Sequence, residues 1–391
     1  MKRWIDRVTS LFQINESLTR EVRREIILRF VIWFNLLILV ILAPFRLYDW
    51  ILTPSQQTSF FFINGIACIF TLLIIAKLND IHHIKTARFF YLLLCYYLCF
   101  SAFPLQNPDQ VLLYLTIPTM ITSFVSDEKN SLWFTGFALL VYLVAFKTLF
   151  PNTPYPVFSI VCLALVAVIS WRVALIIEQM TGQLVSAYDS TIEGWSQALE
   201  MRNQETEGHS QRVADLTMQL VKKMCVDETR WVHIHRGVLL HDIGKMVVPD
   251  TILCKAGPLT ESEHQIMRNH PHYAKDLLIK IPYLAPALEI PYCHHEKWDG
   301  SGYPRGLRGN EIPLEARIFS VIDVWDAMRS KRSYRDAIAE HQVIEYLNIE
   351  SGRSFDPVIV NEFFDMMNFK PHVSSELPRL ILSQNPQKLN H

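Results

Sequence analysis

Histidine is concentrated in one part of this 391-residue sequence, between residues 209 and 295. The stretch PYCHHEKWDGSGYP, residues 291–304, places His294 and His295 side by side, ahead of a turn that contains two glycines. Adjacent imidazoles are costly to bury unless both find partners, and a bound metal ion is one such partner. The stretch is therefore either a metal site with a loop attached or a polar hairpin that carries histidine.

Two further motifs pair histidine with a carboxylate. Glu205 and His209 are four positions apart, so a helix would place both side chains on one face. In HRGVLLHDIGKMVVPD, an apolar run leads into His241 and Asp242, which are costly to bury unless they are paired or bound to metal. Lys245 follows about one turn later, where its ammonium group could meet a phosphate oxygen. A single Glu–His pair is common on protein surfaces, so the prediction depends on the whole set.

Two more residues complete the set of candidate metal ligands. His270 occurs in MRNHP, and Asp323 lies within the apolar helical pattern ARIFSVIDVWDAMRS, where an unpaired carboxylate would be costly. All the candidates are oxygen or nitrogen donors, which favours first-row metals with open coordination positions over a closed structural zinc site. Two such metals, roughly 3.5–4 Å apart, can clamp the attacking and leaving oxygens of a phosphoryl displacement. The pattern therefore indicates metal-dependent phosphoryl chemistry.

At these residues the sequence closely resembles the HD-GYP family, whose members are all-helical metal phosphodiesterases that hydrolyse the bacterial second messenger cyclic di-GMP. The family's HD and GK signature corresponds to His241, Asp242, Gly244 and Lys245, and its HHExxDGxGYP signature is complete as HHEKWDGSGYP. The segments KAGPLTESE and SGRSFDP occur in the expected order. The similarity extends from about residue 187 to about residue 364, nearly the whole second half of the chain.

The resemblance implies roles for individual residues. It implies metal ligation by seven residues: His209, His241, Asp242, His270, His294, His295 and Asp323. Glu205 is similar to the additional ligand of the trinuclear subgroup, so we expect two or three divalent metal ions, iron or manganese. Catalytic roles are implied for Asp242, as a bridge between two metals, and for Lys245. Substrate contacts are implied for five residues: Lys245, Tyr303, Asp326, Arg332 and Arg335. Glu296 is expected to orient a ligand imidazole.

The resemblance implies a phosphodiesterase that converts cyclic di-GMP to pGpG, with a second cut to GMP left open. Two alternatives remain: a catalytically inactive cyclic di-GMP receptor, and a phosphodiesterase for another cyclic dinucleotide such as cyclic GMP-AMP. A homodimer is expected. Contact with a diguanylate cyclase through the loop that contains Gly302, Tyr303 and Pro304, the GYP loop, is a further hypothesis. The formal net charge of −1 gives no bulk attraction to a nucleic acid polymer.

The first half of the chain contains long apolar runs with few charges. Six of them approach the ~20 apolar residues that cross a bilayer, and they lie at about 30–45, 58–76, 89–105, 111–126, 132–150 and 156–177. Lysine and arginine are concentrated before the first segment and after the second, whereas the alternate loops carry only Arg46 and Lys147. By the positive-inside rule, both termini are cytoplasmic. This predicts a multi-pass protein of the bacterial inner membrane, with its catalytic domain in the cytoplasm.

The predicted fold is all-α, with a six-helix transmembrane region followed by a helical HD-type metal phosphohydrolase domain. Between them, apolar residues recur at spacings of three and four, which indicates an amphipathic helix. This helix is either a dimer seam that transmits signals or the first core helix of the domain. The predicted regions are a cytoplasmic tail at 1–29, a transmembrane sensor at 30–177, a linker helix at 178–204, a catalytic domain at 187–370 and a C-terminal tail at 371–391.

Overall fold

The computed structural model of the chain is helical throughout the residues that it describes. These are residues 20–53, 55–80, 84–101, 108–126, 128–203, 208–331 and 336–369, so most of the predicted N-terminal tail and the predicted C-terminal tail lie outside them. Within the described part of the chain, the one β-type contact is an isolated bridge between Ser351 and Phe355. The prediction of an all-α fold is confirmed. The chain divides into two compact units, and the boundary falls between Leu184 and Val185.

The first unit consists of five helices and the beginning of a sixth. They are α1 (Arg20–Leu52), α2 (Gln56–Asp80), α3 (Ile84–Ser101), α4 (Pro108–Val125), α5 (Glu128–Leu149) and α6 (Val157–Asn203). Helices that follow one another from α1 to α5 pack together, and α1 also contacts α3 and α4. Large apolar side chains nevertheless face outward in this unit, for example Phe70 at 64% exposure and Phe158 at 82%. An apolar exterior of this extent is typical of a protein surrounded by lipid.

Four helices of the described chain, rather than six, are long and apolar enough to cross a membrane. They contain the segments Ile27–Leu52, Phe62–Asn79, Asn130–Leu149 and Val157–Asn203. The prediction of six spans is therefore wrong in its count. Helix α3 has only 18 residues and carries Lys85 and Arg88 in its first turns. The apolar part of α4 is Leu112–Val125, which at 1.5 Å per residue is about 21 Å long, whereas the hydrocarbon core is about 30 Å thick.

The second unit contains the last part of α6 and nine further helices. They are α7 (His209–Lys223), α8 (Glu228–Leu239), α9 (Asp250–Leu253), α10 (Glu261–Arg268), α11 (His270–Leu278), α12 (Glu289–Cys293), α13 (Leu314–Arg329), α14 (Glu340–Ile349) and α15 (Pro357–Met367). Short 3-10 helices lie at Ile243–Val247, Ala285–Ala287 and Gly309–Glu311. Helix α13 is central, since it packs against α7, α12, α14 and α15. Ten of its sixteen residues are buried, and eight of those ten are apolar.

The amphipathic segment at the end of α6 belongs to this core. Ile192 is 3% exposed and packs in the main hydrophobic cluster of the second unit, and Leu199 is also buried. These contacts support its interpretation as a core helix. Tyr188 and Trp195 remain partly exposed, so a dimer seam on another face of the helix stays a prediction.

The 3-10 helix Ile243–Val247 approaches α11 closely at Gly244. A Cβ atom added at Gly244 would lie 1.8 Å from the carbonyl oxygen of His270 and 2.8 Å from the backbone nitrogen of Ala274. No side chain fits at this distance, so only glycine allows the two backbones to meet. The contact holds the segment of Asp242 and Lys245 against the start of α11.

We therefore expect Gly244→Ala to destabilise the second unit by about 1–3 kcal/mol, the usual range for overpacking a filled site. Thermal unfolding of the purified full-length chain, followed by intrinsic fluorescence, measures the effect. Gly257→Ala is the matched control, because a Cβ at Gly257 would have no atom within 4 Å. Equal unfolding temperatures for the two variants would contradict this account of the close approach.

Candidate metal centre

A cleft in the second unit collects side chains from five separate segments. His209 begins α7, His270 begins α11, and Asp323 lies in the middle of α13. His241 and Asp242 follow α8, and His294 and His295 follow α12. Six of these seven predicted ligands line the cleft itself: His209, His241, Asp242, His294, His295 and Asp323. Residues far apart in the sequence therefore converge because the helices that carry them share one core.

The donors form two groups of three. In one group, ligand atoms of His270, His294 and His295 all lie within 4.8 Å of one another. In the other, the same holds for His209, His241 and Asp323. Imidazole nitrogens and carboxylate oxygens at this spacing suit divalent first-row metal ions. The residues therefore fit the metal-binding role predicted for them.

Asp242 lies between the two groups. Its Oδ1 is 3.4 Å from His270 Nε2 and 3.9 Å from His294 Nε2, both in the first group. Its Oδ2 is 3.2 Å from His241 Nε2 in the second group. Since each oxygen faces a different group, the carboxylate is placed as a bridging ligand would be.

The orientation of three imidazoles is fixed by backbone carbonyl groups. His241 Nδ1 is 2.8 Å from Val238 O, and His270 Nδ1 is 2.9 Å from Met267 O. His294 Nδ1 lies 3.1 Å from the carbonyl oxygen of Ile290. In each ring, Nδ1–H donates to the carbonyl oxygen, which directs Nε2 toward Asp242. The Nε2 atoms of His270 and His294 are only 3.3 Å apart, a distance that a shared cation would explain.

Burial keeps the first group of imidazoles neutral. Loss of solvation lowers the pKa of His270 to about 3 and that of His294 to about 4. The same cause holds the pKa of His295 well below its usual value. All three rings are therefore uncharged at pH 7, and a neutral ring is the form that binds metal.

Asp242, which is buried, and Asp323, which is half-buried, both remain ionised. Burial alone would raise the pKa of Asp242, but Lys245 and His241 outweigh it and hold that pKa well below the usual range. Burial would likewise raise the pKa of Asp323, and the hydrogen bond with His209 outweighs it. Lys245 Nζ donates to Asp242 Oδ2 at 2.6 Å and is itself buried. The centre thus combines two negative charges with one close ammonium group.

The GYP loop covers one side of the centre. The ring of Tyr303 stacks on His295, with ring centroids 4.7 Å apart, and the Arg268 guanidinium lies 4.7 Å from the centroid of the Tyr303 ring. Glu296 accepts hydrogen bonds from the backbone nitrogens of Arg305 and Leu307 at 2.7 and 3.0 Å. The expectation that Glu296 orients an imidazole is therefore corrected, since its two carboxylate oxygens fix the backbone of this loop.

Asp326 lies behind the cleft instead of on its wall. Its Oδ2 is 2.7 Å from His209 Nδ1, and its Oδ1 accepts a hydrogen bond from Arg212 Nε at 2.8 Å. Asp326 is buried and does not line the cleft. This placement fits orientation of the His209 ring better than the substrate contact predicted for Asp326.

The remaining predicted residues lie outside the part of the chain that the structure describes. They are Glu205, Arg332 and Arg335. Their predicted roles in metal and substrate binding therefore stay predictions.

Sequence reasoning missed other residues of the cleft wall. Arg268 lines the same cleft. It could have been found from the sequence, because it is a cation only two positions before the candidate ligand His270. Tyr346 and Phe355 also line the cleft. They come from the region of α14 and the turn after it, far in sequence from any metal motif. Phe355 lies in SGRSFDP, one of the segments that support the family resemblance, whereas no local signal identifies Tyr346.

The placement of Asp326 leads to a prediction about metal affinity. Asp326→Asn should weaken metal binding at the group that contains His209 by about 10–100-fold, the usual effect of removing a partner that orients a ligand. Manganese titration of the purified chain, monitored by calorimetry, measures the change. Asp189→Asn is a suitable control, since Asp189 also pairs with an arginine, Arg236, and accepts a further hydrogen bond from Tyr283, which is not a candidate ligand. Wild-type affinity in Asp326→Asn would contradict the assigned role.

Comparison with known proteins places this centre in a family. Residues 194–359 match the family model described as HD domain. A 3'3'-cGAMP-specific phosphodiesterase from Vibrio cholerae serotype O1 is 42% identical over 42% of this chain and 32% of its own length. A cyclic di-GMP phosphodiesterase from Thermotoga maritima is 38% identical over 43% of this chain and 46% of its own length.

A third relative is a cyclic di-GMP phosphodiesterase response regulator from Xanthomonas campestris pv. campestris, which is 37% identical over 44% of this chain and 46% of its own length. The chain thus spans less than half the length of the relatives that it matches. The matched region contains every described residue of the two donor groups and the complete GYP motif. These agreements confirm the resemblance found in the sequence: residues 194–359 match an HD domain, and the relatives are named as cyclic dinucleotide phosphodiesterases.

Proposed function

We propose that this chain is a membrane-anchored, metal-dependent phosphodiesterase that hydrolyses cyclic di-GMP to pGpG. The observation that carries the proposal is the pair of donor groups on either side of Asp242, with Lys245 at hydrogen-bonding distance from the same carboxylate. The names of the relatives support a cyclic dinucleotide as the substrate. A second cut, from pGpG to GMP, would use the same centre.

The bound divalent metals would polarise the phosphoryl oxygens and lower the pKa of an attacking water. The imidazoles and Asp323 would hold the ions, and Asp242 would fix the spacing between the two groups. Lys245 would neutralise the charge that develops on the phosphorus oxygens while the ribose 3′ oxygen leaves. Because Lys245, Asp242 and most of the imidazoles are buried, these charges act with little screening by water.

The cleft wall would bind the rest of the nucleotide. Tyr303 and Arg268 form a stack over His295, and a guanidinium in this position can bind a second phosphate. Arg332 and Arg335 are proposed to bind phosphate from the neighbouring segment. Tyr346 and Phe355, which also line the cleft, offer aromatic surface for a base.

Cyclic GMP-AMP is the second candidate substrate. The relative at 42% identity bears the name of an enzyme specific for 3'3'-cGAMP, and relatives at 38% and 37% bear the name of cyclic di-GMP enzymes. The alternative of an inactive receptor is less favoured, because each of the seven predicted ligands and Lys245 is present in the chain.

We further propose that the chain resides in the bacterial inner membrane with its catalytic unit in the cytoplasm. Four candidate spans are an even number, as six were, so both termini remain on the side that the positive-inside rule assigns to the cytoplasm. Iron or manganese is the proposed metal, with Glu205 as a ligand of a third ion. Dimerisation along residues 178–204 and contact of a diguanylate cyclase with the GYP loop complete the proposal.

The activity is tested by removing a ligand. His241→Ala and Asp242→Ala should lower hydrolysis of cyclic di-GMP by more than about 10²-fold, because loss of a ligand exceeds the effect of losing its orienting partner. Liquid chromatography of the nucleotides, with cyclic GMP-AMP run in parallel, identifies substrate and product. His272→Ala is the control, since His272 is exposed and does not line the cleft. Undiminished hydrolysis in both ligand variants, with metal still bound, would refute the assignment.

The third metal is tested by counting ions. Protein purified without chelators and loaded with iron or manganese should hold three ions per chain. Glu205→Gln should hold two, because a neutral amide oxygen binds a divalent cation less strongly than a carboxylate oxygen does. Mass spectrometry of the bound metals gives the count. A wild-type count of two after full loading would leave Glu205 without a metal to bind.

A further inference from the structure

The last turn of α6 contacts two segments that carry residues of the metal centre. Arg202 reaches the 3-10 helix Ile243–Val247 and the residues after it. Its Nη1 donates to Met246 O at 3.0 Å and to Lys245 O at 3.4 Å, and its Nη2 donates to Val248 O at 2.8 Å. The last carbonyl groups of a helix have few partners within that helix, although Lys245 O also accepts a hydrogen bond from Val248 N. One guanidinium thus binds the backbone oxygens at the end of the segment that carries Asp242 and Lys245.

Glu200 reaches the start of α7. Its Oε1 accepts a hydrogen bond from Ser210 N at 2.6 Å, and its Oε2 accepts one from Gly208 N at 3.1 Å. The backbone nitrogens at the start of a helix also lack partners within the helix. His209 lies between these two residues, so Glu200 fixes the backbone on both sides of a predicted metal ligand.

The two contacts are complementary in charge. Glu200 is only 9% exposed, and its negative charge faces backbone N–H groups at a helix start. Arg202 is positive and faces carbonyl oxygens at a helix end. Two side chains within a single turn therefore determine where the backbones of His209 and Lys245 lie relative to α6.

We infer that Glu200 and Arg202 are positioning residues for the metal centre, and that the end of α6 acts on the reaction through them. Glu200 sets the position of His209 and hence the metal affinity of its group. Arg202 sets the position of Lys245 relative to the phosphate and hence the turnover rate. The inference rests on the proposed phosphodiesterase activity for its kinetic part only, because metal affinity can be measured without a substrate.

The ion pair of Arg202 provides a way to separate this role from a contribution to stability. Arg202 also binds Asp250, with Nη2 2.7 Å from Oδ1, but the Asp250 side chain is 72% exposed. An ion pair this exposed contributes little to stability. Asp250→Asn therefore removes the charge of the pair and keeps the carbonyl contacts of Arg202. It is the matched control for Arg202→Lys, which keeps the charge but loses the fork of donors that reaches several carbonyl groups.

The experiment uses the full-length chain in detergent, with Mn²⁺ and cyclic di-GMP as probes. Arg202→Lys should lower kcat about tenfold, with Mn²⁺ affinity unchanged, because a small displacement of Lys245 weakens transition-state binding. Glu200→Gln should weaken Mn²⁺ binding about tenfold, since the glutamine amide nitrogen cannot accept the second backbone hydrogen bond. Asp250→Asn should stay within about twofold of wild type in both measurements, as an exposed pair predicts.

A purely structural role would lower the unfolding temperature and leave kcat and Mn²⁺ affinity at wild-type values, which would overturn the inference. An equal loss of kcat in Asp250→Asn would do the same for Arg202. Should the wild-type chain hydrolyse neither cyclic di-GMP nor cyclic GMP-AMP, the proposed function fails separately. The Mn²⁺ affinity of Glu200→Gln then decides the inference, and a wild-type value would overturn it.

Discussion

Burial of the Asp242 carboxylate between two sets of imidazoles is the constraint on which the rest of the second unit depends. Asp242 is 7% exposed, so water cannot stabilise its charge. Its oxygens instead face Lys245, His241 and His270 at 2.6 to 3.4 Å. An arrangement with this much polarity and so little water is stable only if every donor is held in place. The helices around the cleft supply that restraint.

Helix ends supply most of the restraint, and they do so in a repeated way. His241, His270 and His294 each lie just after a helical turn, and the Nδ1 of each is bonded to a carbonyl oxygen three or four residues earlier. Each of these carbonyl oxygens also accepts a backbone hydrogen bond, and its second lone pair receives the imidazole N–H. The side-chain hydrogen bond therefore orients each ring and directs its Nε2 toward Asp242. Asp323 is the exception, since it projects from the middle of the buried helix α13.

The candidate ligands can be picked out of the sequence because each motif is local. Each motif places polar groups where burial would be costly, and a few neighbouring residues are enough to show it. The motifs are the doubled histidine, the His–Asp pair after an apolar run and the aspartate within an apolar helix. Contacts between distant segments carry no such signal. The pairing of Asp326 with His209 joins positions 117 residues apart, and the contacts of Glu296 with Arg305 and Leu307 depend on the path of a loop. The predicted count of membrane spans is wrong for another reason. The segments are apolar, as predicted, but the helix that contains Lys85 and the apolar part of the helix that contains Leu112 are too short to cross a bilayer.

The choice of lysine at position 245 follows from the same constraint. A buried carboxylate bridging two donor groups needs a positive charge nearby, and a phosphate that enters the cleft needs one as well. An arginine would bind Asp242 through a rigid planar fork, which favours a permanent pair. The ammonium group of lysine is compact, has three equivalent donors and ends a flexible stem, so it can contact the carboxylate and a phosphate oxygen together or in turn. Lys245 lies 2.6 Å from Asp242 and also lines the cleft, so a single side chain can serve both the resting charge balance and the reaction.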